Sequence, residues 1–362
     1  MTQTAIPFLF MRGGTSRGPY FNFADLPEDR EVLAEVLVAA IGSGHPLNID
    51  GIGGGNAVTT KVAILSRSET DWADVDYFFA QVSVEDGTVD FVPTCGNILS
   101  GVGPAAIEMG LVPATGPETT LHIHAVNSGA HVVATVCTGA EGVIYDGDTQ
   151  IDGVPGAAAP IGLQFMDTIG GATGSLLPTG NLIDIFDGVE VTCMDVAMPM
   201  VIARAESFGL TGTETREELD AKTDFFAQME AIRLQAGRAM GMGDVSQSVT
   251  PKFGLLSSPT VGGSVGTRYF MPWKTHPTMA VTGSQCFAAC VLTPGTVADG
   301  LMPPPNERPA TVTLEHPMGT MDVIVDFAMD DGQFDLKSAG LLRTARLLAR
   351  GEVMVPTSVW KP

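Results

Sequence analysis

Basic residues are scarce in this chain. Its 362 residues include 19 lysines and arginines against 41 aspartates and glutamates, which gives a formal net charge of −22. A nucleic-acid backbone and an anionic membrane surface both attract basic faces, so neither is an expected partner. No apolar run reaches the roughly 20 residues of a membrane-spanning helix. No basic leader precedes a long apolar run at the N-terminus, so a secretory signal is not expected either.

Paired cysteines are missing as well. The five cysteines are scattered, and no CxxC motif occurs. Zinc sites and disulfide frameworks are built from cysteines at characteristic spacings, so neither is expected. Hydrophobic residues make up 44% of the chain, which is enough for a buried core. The composition therefore predicts a soluble globular protein of the reducing cytoplasm.

What the chain does contain is an internal repeat. Charged stretches at 26–41 and 214–240 have the pattern of amphipathic helices and hold the same place in the order of segments. Other similar segments recur 188 to 191 residues apart: those around Lys61 and Lys252, the turns 94–97 and 282–285, and the segments centred on Gly129 and Gly319. Segments that recur in the same order at nearly the same offset are hard to obtain by chance, and they predict two homologous halves, 1–185 and 186–362.

Each half predicts the same succession of elements. A strand, an amphipathic helix and a loop precede a strand that carries the lysine, and a later turn opens a helix almost without charge. These uncharged helices are expected at 97–108 and 285–292. A helix that is apolar on all sides is buried on all sides. We therefore predict an α+β fold of two pseudo-symmetric halves, each a mixed sheet curled round a central apolar helix.

Two motif matches lack their structural context. Residues 14–18 fit GxSxG, the nucleophile elbow of hydrolases, but the Pro-Tyr-Phe sequence that follows does not begin the required helix. Residues 51–56 nearly fit the dinucleotide-binding motif GxGxxG. Asn56 replaces its last glycine, however, and a strand rather than a helix is predicted next.

Three histidines present a further alternative. His122 and His124 share one strand face, and His131 lies across a predicted hairpin. Three imidazoles can hold zinc. Alternating polar residues more often mark a solvated strand face, and we favour that interpretation.

Lys61 and Cys95 are the candidates for acid–base chemistry. Lys61 is one of only six lysines and stands between a Gly-rich loop and an apolar strand. A lysine that loses part of its hydration can act as a base near neutral pH. Cys95 directly precedes the first uncharged helix, where a helix dipole makes a thiol more acidic. Taken alone, Cys95 fits a buried structural cysteine better.

Longer motifs supply the missing context. Several segments resemble the family of methylaconitate isomerases and 4-oxalomesaconate tautomerases, which has the diaminopimelate epimerase-like fold. They are MRGGTSRG, DGIGGGN, TTKVAIL and CGNILSGVGPAAIE in the first half, and TPKFGLL and AVTGSQC in the second. The resemblance extends over essentially the whole chain and includes RYF (268–270) and His276.

The resemblance implies an isomerase that needs no cofactor. Such an enzyme moves a double bond by 1,3-proton transfer in an unsaturated tricarboxylate. The motifs point to 4-oxalomesaconate, from the catabolism of protocatechuate, gallate and other lignin-derived aromatics. The alternatives are a 2-methylaconitate isomerase of propionate metabolism and a non-catalytic small-acid binding protein. The resemblance implies a small polycarboxylate as partner and no metal, and it leaves a homodimer open.

The resemblance also implies the roles of single residues. Lys61 is the principal base, and Cys95 is the opposing acid or a positioning thiol. Both helix N-termini are expected to hold carboxylates in a cleft between the halves. The substrate-binding candidates are Thr15, Ser16, Gly53, Gly54, Asn56, Thr60, Gly96, Asn97, Arg268, His276, Gly283 and Ser284.

One departure from the wider fold is informative. Racemases and epimerases that share the fold resemble one another in using two facing cysteines, one in each half. Here Gly283 stands at the second turn, and Cys286 and Cys290 lie four residues apart on an apolar helix, as core residues do. A proton shift by a lysine and a cysteine is therefore expected rather than a two-thiol racemisation.

Overall fold

The computed structural model describes residues 2–166, 168–330 and 333–362. The chain divides into two units. Unit 1 comprises Met1–Gln164 and Leu342–Pro362, and unit 2 comprises Phe165–Leu341. Both units combine strands with a few helices, as the predicted α+β class requires.

The unit boundaries differ from the predicted division after residue 185. Strand β17 (Gln333–Pro356) runs antiparallel along β1 (Gln3–Gly13), from the pair Gln3↔Pro356 to the pair Gly13↔Ala345. Because the two strands exchange backbone hydrogen bonds over this length, the C-terminal segment belongs to unit 1. An internal repeat indicates which segments are alike, but it does not indicate which strands pair.

Unit 1 contains one long outer helix and two short inner helices. The helices are α1 (Arg30–Ile41), α2 (Gly96–Leu99) and α3 (Val102–Glu108), with a 3-10 turn at Phe23–Asp25. Besides β1, the strands are β2 (Ser16–Asn22), β3 (Lys61–Arg67), β4 (Val75–Val82), β5 (Val89–Asp90), β6 (Glu118–Ala125), β7 (Ala130–Gly139), β8 (Gly142–Val143) and β9 (Pro160–Phe165).

Unit 2 is built from a similar set. Its helices are α4 (Arg216–Asp220), α5 (Thr223–Ala239) and α6 (Val281–Leu292), with a 3-10 turn at Ala205–Phe208. Its strands are β10 (Asp184–Phe186), β11 (Val189–Asp195), β12 (Pro199–Arg204), β13 (Lys252–Ser257), β14 (Val265–Phe270), β15 (Ala310–His316) and β16 (Gly319–Asp330).

The strand pairing repeats from unit 1 to unit 2. In unit 1, β1/β2 is antiparallel, β2/β3 parallel, β3/β4 antiparallel, β4/β6 parallel and β6/β7 antiparallel. In unit 2, β11/β12, β12/β13, β13/β14, β14/β15 and β15/β16 follow the same alternation. The similar segments of the sequence therefore occupy corresponding places in the two units.

An outer helix covers one face of each mixed sheet. The carboxylate of Asp29 caps α1, and the helix ends at Gly42. Its apolar residues pack on alternate residues of β3, such as Val62 and Ile64. In unit 2, α5 packs in the same way on Phe253 of β13 and its neighbours. The predicted helix 214–240 is interrupted, because it consists of α4 and α5.

The inner helices lie on the opposite faces and are buried, as their lack of charge predicts. Helix α6 is one continuous segment in the core of unit 2. The segment 97–108 was expected to match it, but it forms α2 and α3. Pro104 lacks the amide hydrogen of a helix interior and is tolerated in the first turn of α3. Gly101, at the break, lies against Tyr20, where a Cβ would be 2.3 Å from the phenol oxygen.

Candidate active site

Lys61 begins β3 on the face of the sheet that carries α2 and α3. Val62 and Ile64 belong to the core under α1, so the alternate residue Lys61 points to the other face. The side chain is half-buried. Its Nζ donates to Gln81 Oε1 over 2.9 Å and lies 5.3 Å from the centre of the Phe79 ring. These contacts hold the amino group in one place.

Gln81 was not predicted as a site residue. It lies directly opposite Lys61 in the β3/β4 register. Its amide nitrogen donates to the carbonyls of Ala57 and Val82 and to the Thr60 hydroxyl, at 3.2 Å each. The amide oxygen is thereby turned toward Lys61. Only the cross-strand register reveals this pairing, which spacing in the sequence does not.

Cys95 is held through the backbone of its own turn. It precedes α2 directly, its side chain makes no capping hydrogen bond and it is half-buried. The Tyr77 hydroxyl donates to the Cys95 carbonyl at 3.3 Å, and the Tyr20 hydroxyl donates to the Ile98 carbonyl at 2.6 Å. Burial, and then the nearby Cys95, raise the pKa of both tyrosines well above the usual value. Both phenols therefore stay protonated as donors.

The hairpin between β1 and β2 packs on the same turn. Thr15 donates its amide hydrogen to Asn97 Oδ1 over 3.4 Å. Gly14 adopts φ +51°, and a Cβ there would lie 2.2 Å from Asn97 Oδ1, so only glycine fits. Thr15 is exposed, whereas the buried Ser16 hydroxyl has no partner among the described residues. The structure thus brings Thr15, Gly96 and Asn97 together at Cys95.

The Gly-rich loop before β3, which includes residues 51–56, has a partly structural role. A Cβ at Gly53 would lie 2.7 Å from the carbonyl oxygen of Ile41, at the end of α1. The Asn56 side chain accepts from the Val58 amide and shapes the turn before β3. The buried Thr60 hydroxyl donates to the Val82 carbonyl. Gly53, Asn56 and Thr60 therefore have structural partners, which the sequence did not reveal.

Arg17 is a cation near this loop that the sequence argument missed. A Cβ at Gly54 would lie 2.8 Å from Arg17 Nη2, so the guanidinium rests against the loop. The Arg17 backbone amide donates to the Val58 carbonyl at 2.9 Å. The residue is exposed. It adds a positive charge beside the loop that leads to Lys61.

The first turn of α6 in unit 2 has no room for a thiol at residue 283, because α6 begins at Val281 and Gly283 lies inside the helix. A Cβ at Gly283 would lie 2.6 Å from the Tyr269 ring. The buried Ser284 hydroxyl donates to the Val281 carbonyl within the helix. Cys286 and Cys290 are fully buried in the core, and burial raises the pKa of both thiols, that of Cys290 to about 12. No cysteine of unit 2 therefore takes the place that Cys95 has in unit 1.

His276 lies beside Tyr269 and close to Lys252. Its backbone amide donates to the Tyr269 carbonyl at 2.8 Å, and its Nδ1 accepts from the Thr278 amide at 3.0 Å. Burial lowers the pKa of His276, and the positive charges of Lys252 and Arg216 lower it further. The imidazole is therefore neutral near pH 7.

Arg268 lies on a different face of its sheet from Lys252. It pairs with Leu255 across β13/β14 and so shares the face that packs on α5. Its Nε donates to the Glu214 carbonyl over 2.8 Å. Burial lowers the pKa of its guanidinium, which the nearby Glu214 and Glu315 charges partly offset. Arg268 thus holds the segment before α4, while Lys252 points to the α6 face.

The three histidines of the β6/β7 hairpin do cluster. His122 Nδ1 and His131 Nε2 are 2.8 Å apart, and His124 Nδ1 is 3.0 Å from Asp76 Oδ1. The exposed Trp72 ring packs on His131. Among the residues that the structure describes, no three metal-ligating side chains are placed to hold an ion. The three imidazoles are half-buried against one another, Asp76 and Trp72, so this strand face is less solvated than we expected.

Known proteins match the chain over nearly its whole length. A sequence model of the PrpF protein family matches residues 3–356. The 4-oxalomesaconate tautomerase of Pseudomonas putida is 47% identical over 99% of this chain and 99% of its own. The (4E)-oxalomesaconate Delta-isomerase of Novosphingobium sp. is 46% identical over 96% of this chain and 97% of its own.

A solved structure confirms the fold. The crystal structure of a methylitaconate-delta-isomerase has a TM-score of 0.90 with this chain at 34% identity, and the match covers 100% of this chain and 98% of the other. No helix among residues 2–166, 168–330 and 333–362 is long and apolar enough to cross a membrane.

Proposed function

Because the chain belongs to the PrpF protein family, we propose that it is an isomerase that shifts a double bond in 4-oxalomesaconate by 1,3-proton transfer. The observation that carries this proposal is the placement of Lys61. Its amino group is fixed by Gln81 on the face of the sheet that bears the Cys95 turn. The tautomerase and the Delta-isomerase that resemble the chain at 46–47% identity support the choice of substrate.

The proposed reaction begins at Lys61. Its amino nitrogen takes a proton from the carbon next to the double bond, so that a C–H bond breaks and an N–H bond forms. The electron pair moves into the conjugated system and gives an extended enolate. A proton then returns two carbons away, from Lys61 or from the Cys95 thiol. Electrons and protons balance within the substrate, so the products are an isomer and the unchanged enzyme.

The oxyanion and the carboxylates need hydrogen-bond donors. We assign this role in unit 1 to the Thr15 and Asn97 side chains and to backbone amides at Gly96, with Arg17 supplying positive charge. Donors fixed by folding need not reorganise as charge develops. Tyr20 and Tyr77 serve this arrangement indirectly, because they anchor the backbone that presents Cys95.

The proposal includes a cellular setting. The five cysteines are all free thiols. Free thiols are typical of a reducing compartment, and we place the enzyme in the cytoplasm. Its substrate would be formed when lignin-derived aromatic rings are opened and oxidised.

Proton NMR of the purified protein tests the proposal. The protein should convert 4-oxalomesaconate to its double-bond isomer. Its kcat/KM for 2-methylaconitate should be at least tenfold lower than its kcat/KM for 4-oxalomesaconate. Heat-denatured protein is the control, because 4-oxalomesaconate also equilibrates without an enzyme. Faster turnover of 2-methylaconitate would replace the substrate assignment. Binding of either acid without turnover would make the protein a small-acid binding protein.

A further inference from the structure

Lys252 occupies in unit 2 the place that Lys61 has in unit 1. It begins β13, between the parallel β12 and the antiparallel β14. A Cβ at Gly254 would lie 2.4 Å from the Phe287 ring of α6, so residues 252 and 254 both face that helix. The lysine is half-buried there. Lys252 is thus the second lysine of the repeat that faces an inner helix, and the proposed reaction does not use it.

The charge of Lys252 has no counter-ion in the described part of unit 2. Two carboxylates of α4 and α5 are engaged with arginines, since Asp220 pairs with Arg216 and Glu230 bonds to Arg233. The Lys252 side chain forms no hydrogen bond or ion pair with any residue that the structure describes. The β13/β14 register, continued by one residue, places the apolar Met271 opposite it. Lys61 has Gln81 at that position.

A second donor, His276, lies on the same face: its ring centroid is 5.6 Å from that of Tyr269, and Tyr269 lies opposite Gly254, two residues along β13 from Lys252. His276 Nδ1 accepts a hydrogen bond from the Thr278 amide, so the neutral ring carries its hydrogen on Nε2. None of the described residues accepts from that Nε2–H group. Burial, and then the charge of Arg233, lower the pKa of Lys252. A positive charge that is costly to keep in the free protein is stabilised when an anion binds.

We propose that Lys252 and His276 form a carboxylate-binding subsite of unit 2, which takes one carboxylate of a small polycarboxylate. This inference rests on the proposed function for the chemical class of that ligand. An ammonium group and an imidazole N–H can donate to the two oxygens of one carboxylate, and a charged donor makes such bonds short and strong. A local excess of positive charge is required here, because the whole chain carries −22 and repels a tricarboxylate.

Calorimetric titration with tricarballylate, a saturated tricarboxylate that cannot isomerise, tests the subsite apart from catalysis. Lys252→Met should weaken binding by about 10- to 100-fold, and Lys252→Arg, which keeps the charge, should stay within about fivefold of the unaltered protein. The matched control is Lys274→Met, since Lys274 is exposed in the bend that carries His276 and should bind unchanged. Thermal melting of each variant verifies folding.

The outcomes separate this inference from the proposed function. Equal affinities of Lys252→Met and the unaltered protein for tricarballylate would overturn the subsite, and so would an unaltered protein that does not bind it. If Lys252→Met does not fold, the Lys252→Gln variant is titrated in its place with the same expectation. A failure to turn over 4-oxalomesaconate with normal tricarballylate binding would refute the substrate but leave the carboxylate subsite standing.

Discussion

Two lysines begin corresponding strands in the two units, and their surroundings differ. Lys61 is held by Gln81 and the Phe79 ring, and a cysteine opens the inner helix of its unit. Lys252 faces α6 without a comparable partner among the described residues, and that helix begins after Ala280, with Gly283 in its first turn. The same arrangement of strands thus supports a fixed amine with a thiol in one unit and an uncompensated cation in the other.

The difference indicates how a duplicated fold divides its work. A base must be positioned, and the amide of Gln81 does that for Lys61. An anion-binding group must instead have positive charge to spare, as Lys252 does. The Tyr269 ring fills the space that a second thiol would need at residue 283. We therefore propose that unit 1 carries the acid–base chemistry and that unit 2 adds a further carboxylate-binding subsite.

The largest effect is expected for Lys61→Ala. Removing the base should lower kcat about 10²- to 10⁴-fold, because that is the usual contribution of general base catalysis. The fold should persist, since the shortened side chain leaves a half-buried position that water can reach. Initial-rate kinetics with 4-oxalomesaconate measure kcat, and a melting curve measures the stability of the fold. Lys222→Ala, at an exposed position, is the control and should retain full activity.

Cys95→Ser decides how the proton returns. Serine keeps the size and the backbone amides but loses the acidity of the thiol. If Lys61 itself returns the proton, kcat should fall by less than about tenfold, which is the result we expect. A loss as large as that of Lys61→Ala would make Cys95 an obligate acid, and the pH dependence of kcat in both variants would show which group titrates.

Gly283→Ala tests why the second thiol is absent. The added methyl group would lie 2.6 Å from the Tyr269 ring, so the variant should lose about 1–3 kcal/mol of unfolding free energy through overpacking. Denaturant unfolding measures the loss. Gly171→Ala is the control, because a Cβ there meets nothing within 4 Å. If Gly283→Ala is as stable as that control, the ring does not exclude a side chain at this position.

Tyr20→Phe should have the smallest effect. It removes the donor to the Ile98 carbonyl, but that carbonyl still accepts from the Gly101 amide at 2.9 Å. The unfolding free energy should therefore fall by only about 1 kcal/mol. A larger loss of kcat than of stability would show that the phenol positions the Cys95 turn for catalysis. An unchanged protein in both respects would remove Tyr20 from the site.

The sequence predicts those features that depend on local patterns. The spacing of apolar residues and the internal repeat were enough to predict the amphipathic helix α1, the strand that begins at Lys61 and the burial of α6. The break between α2 and α3 has a local signal in Pro104, which the single expected helix 97–108 did not take into account. The close packing of Gly101 on Tyr20 is a tertiary contact that no local pattern contains. The resemblance gave both Arg268 and His276 as substrate-binding candidates, but Arg268 lies on the face that packs on α5, and a shift of one residue along a strand reverses the face. Gln81 required the cross-strand register.

Hydrogen–deuterium exchange at the reacting carbon of 4-oxalomesaconate tests the central claim most directly. Proton NMR in D₂O follows the loss of that proton in substrate that has not yet isomerised, after subtraction of the rate without protein. The unaltered enzyme and Cys95→Ser should both exchange it, and Lys61→Ala should not exceed the background rate. Exchange by folded Lys61→Ala at the rate of the unaltered enzyme would contradict the assignment of Lys61 as the base.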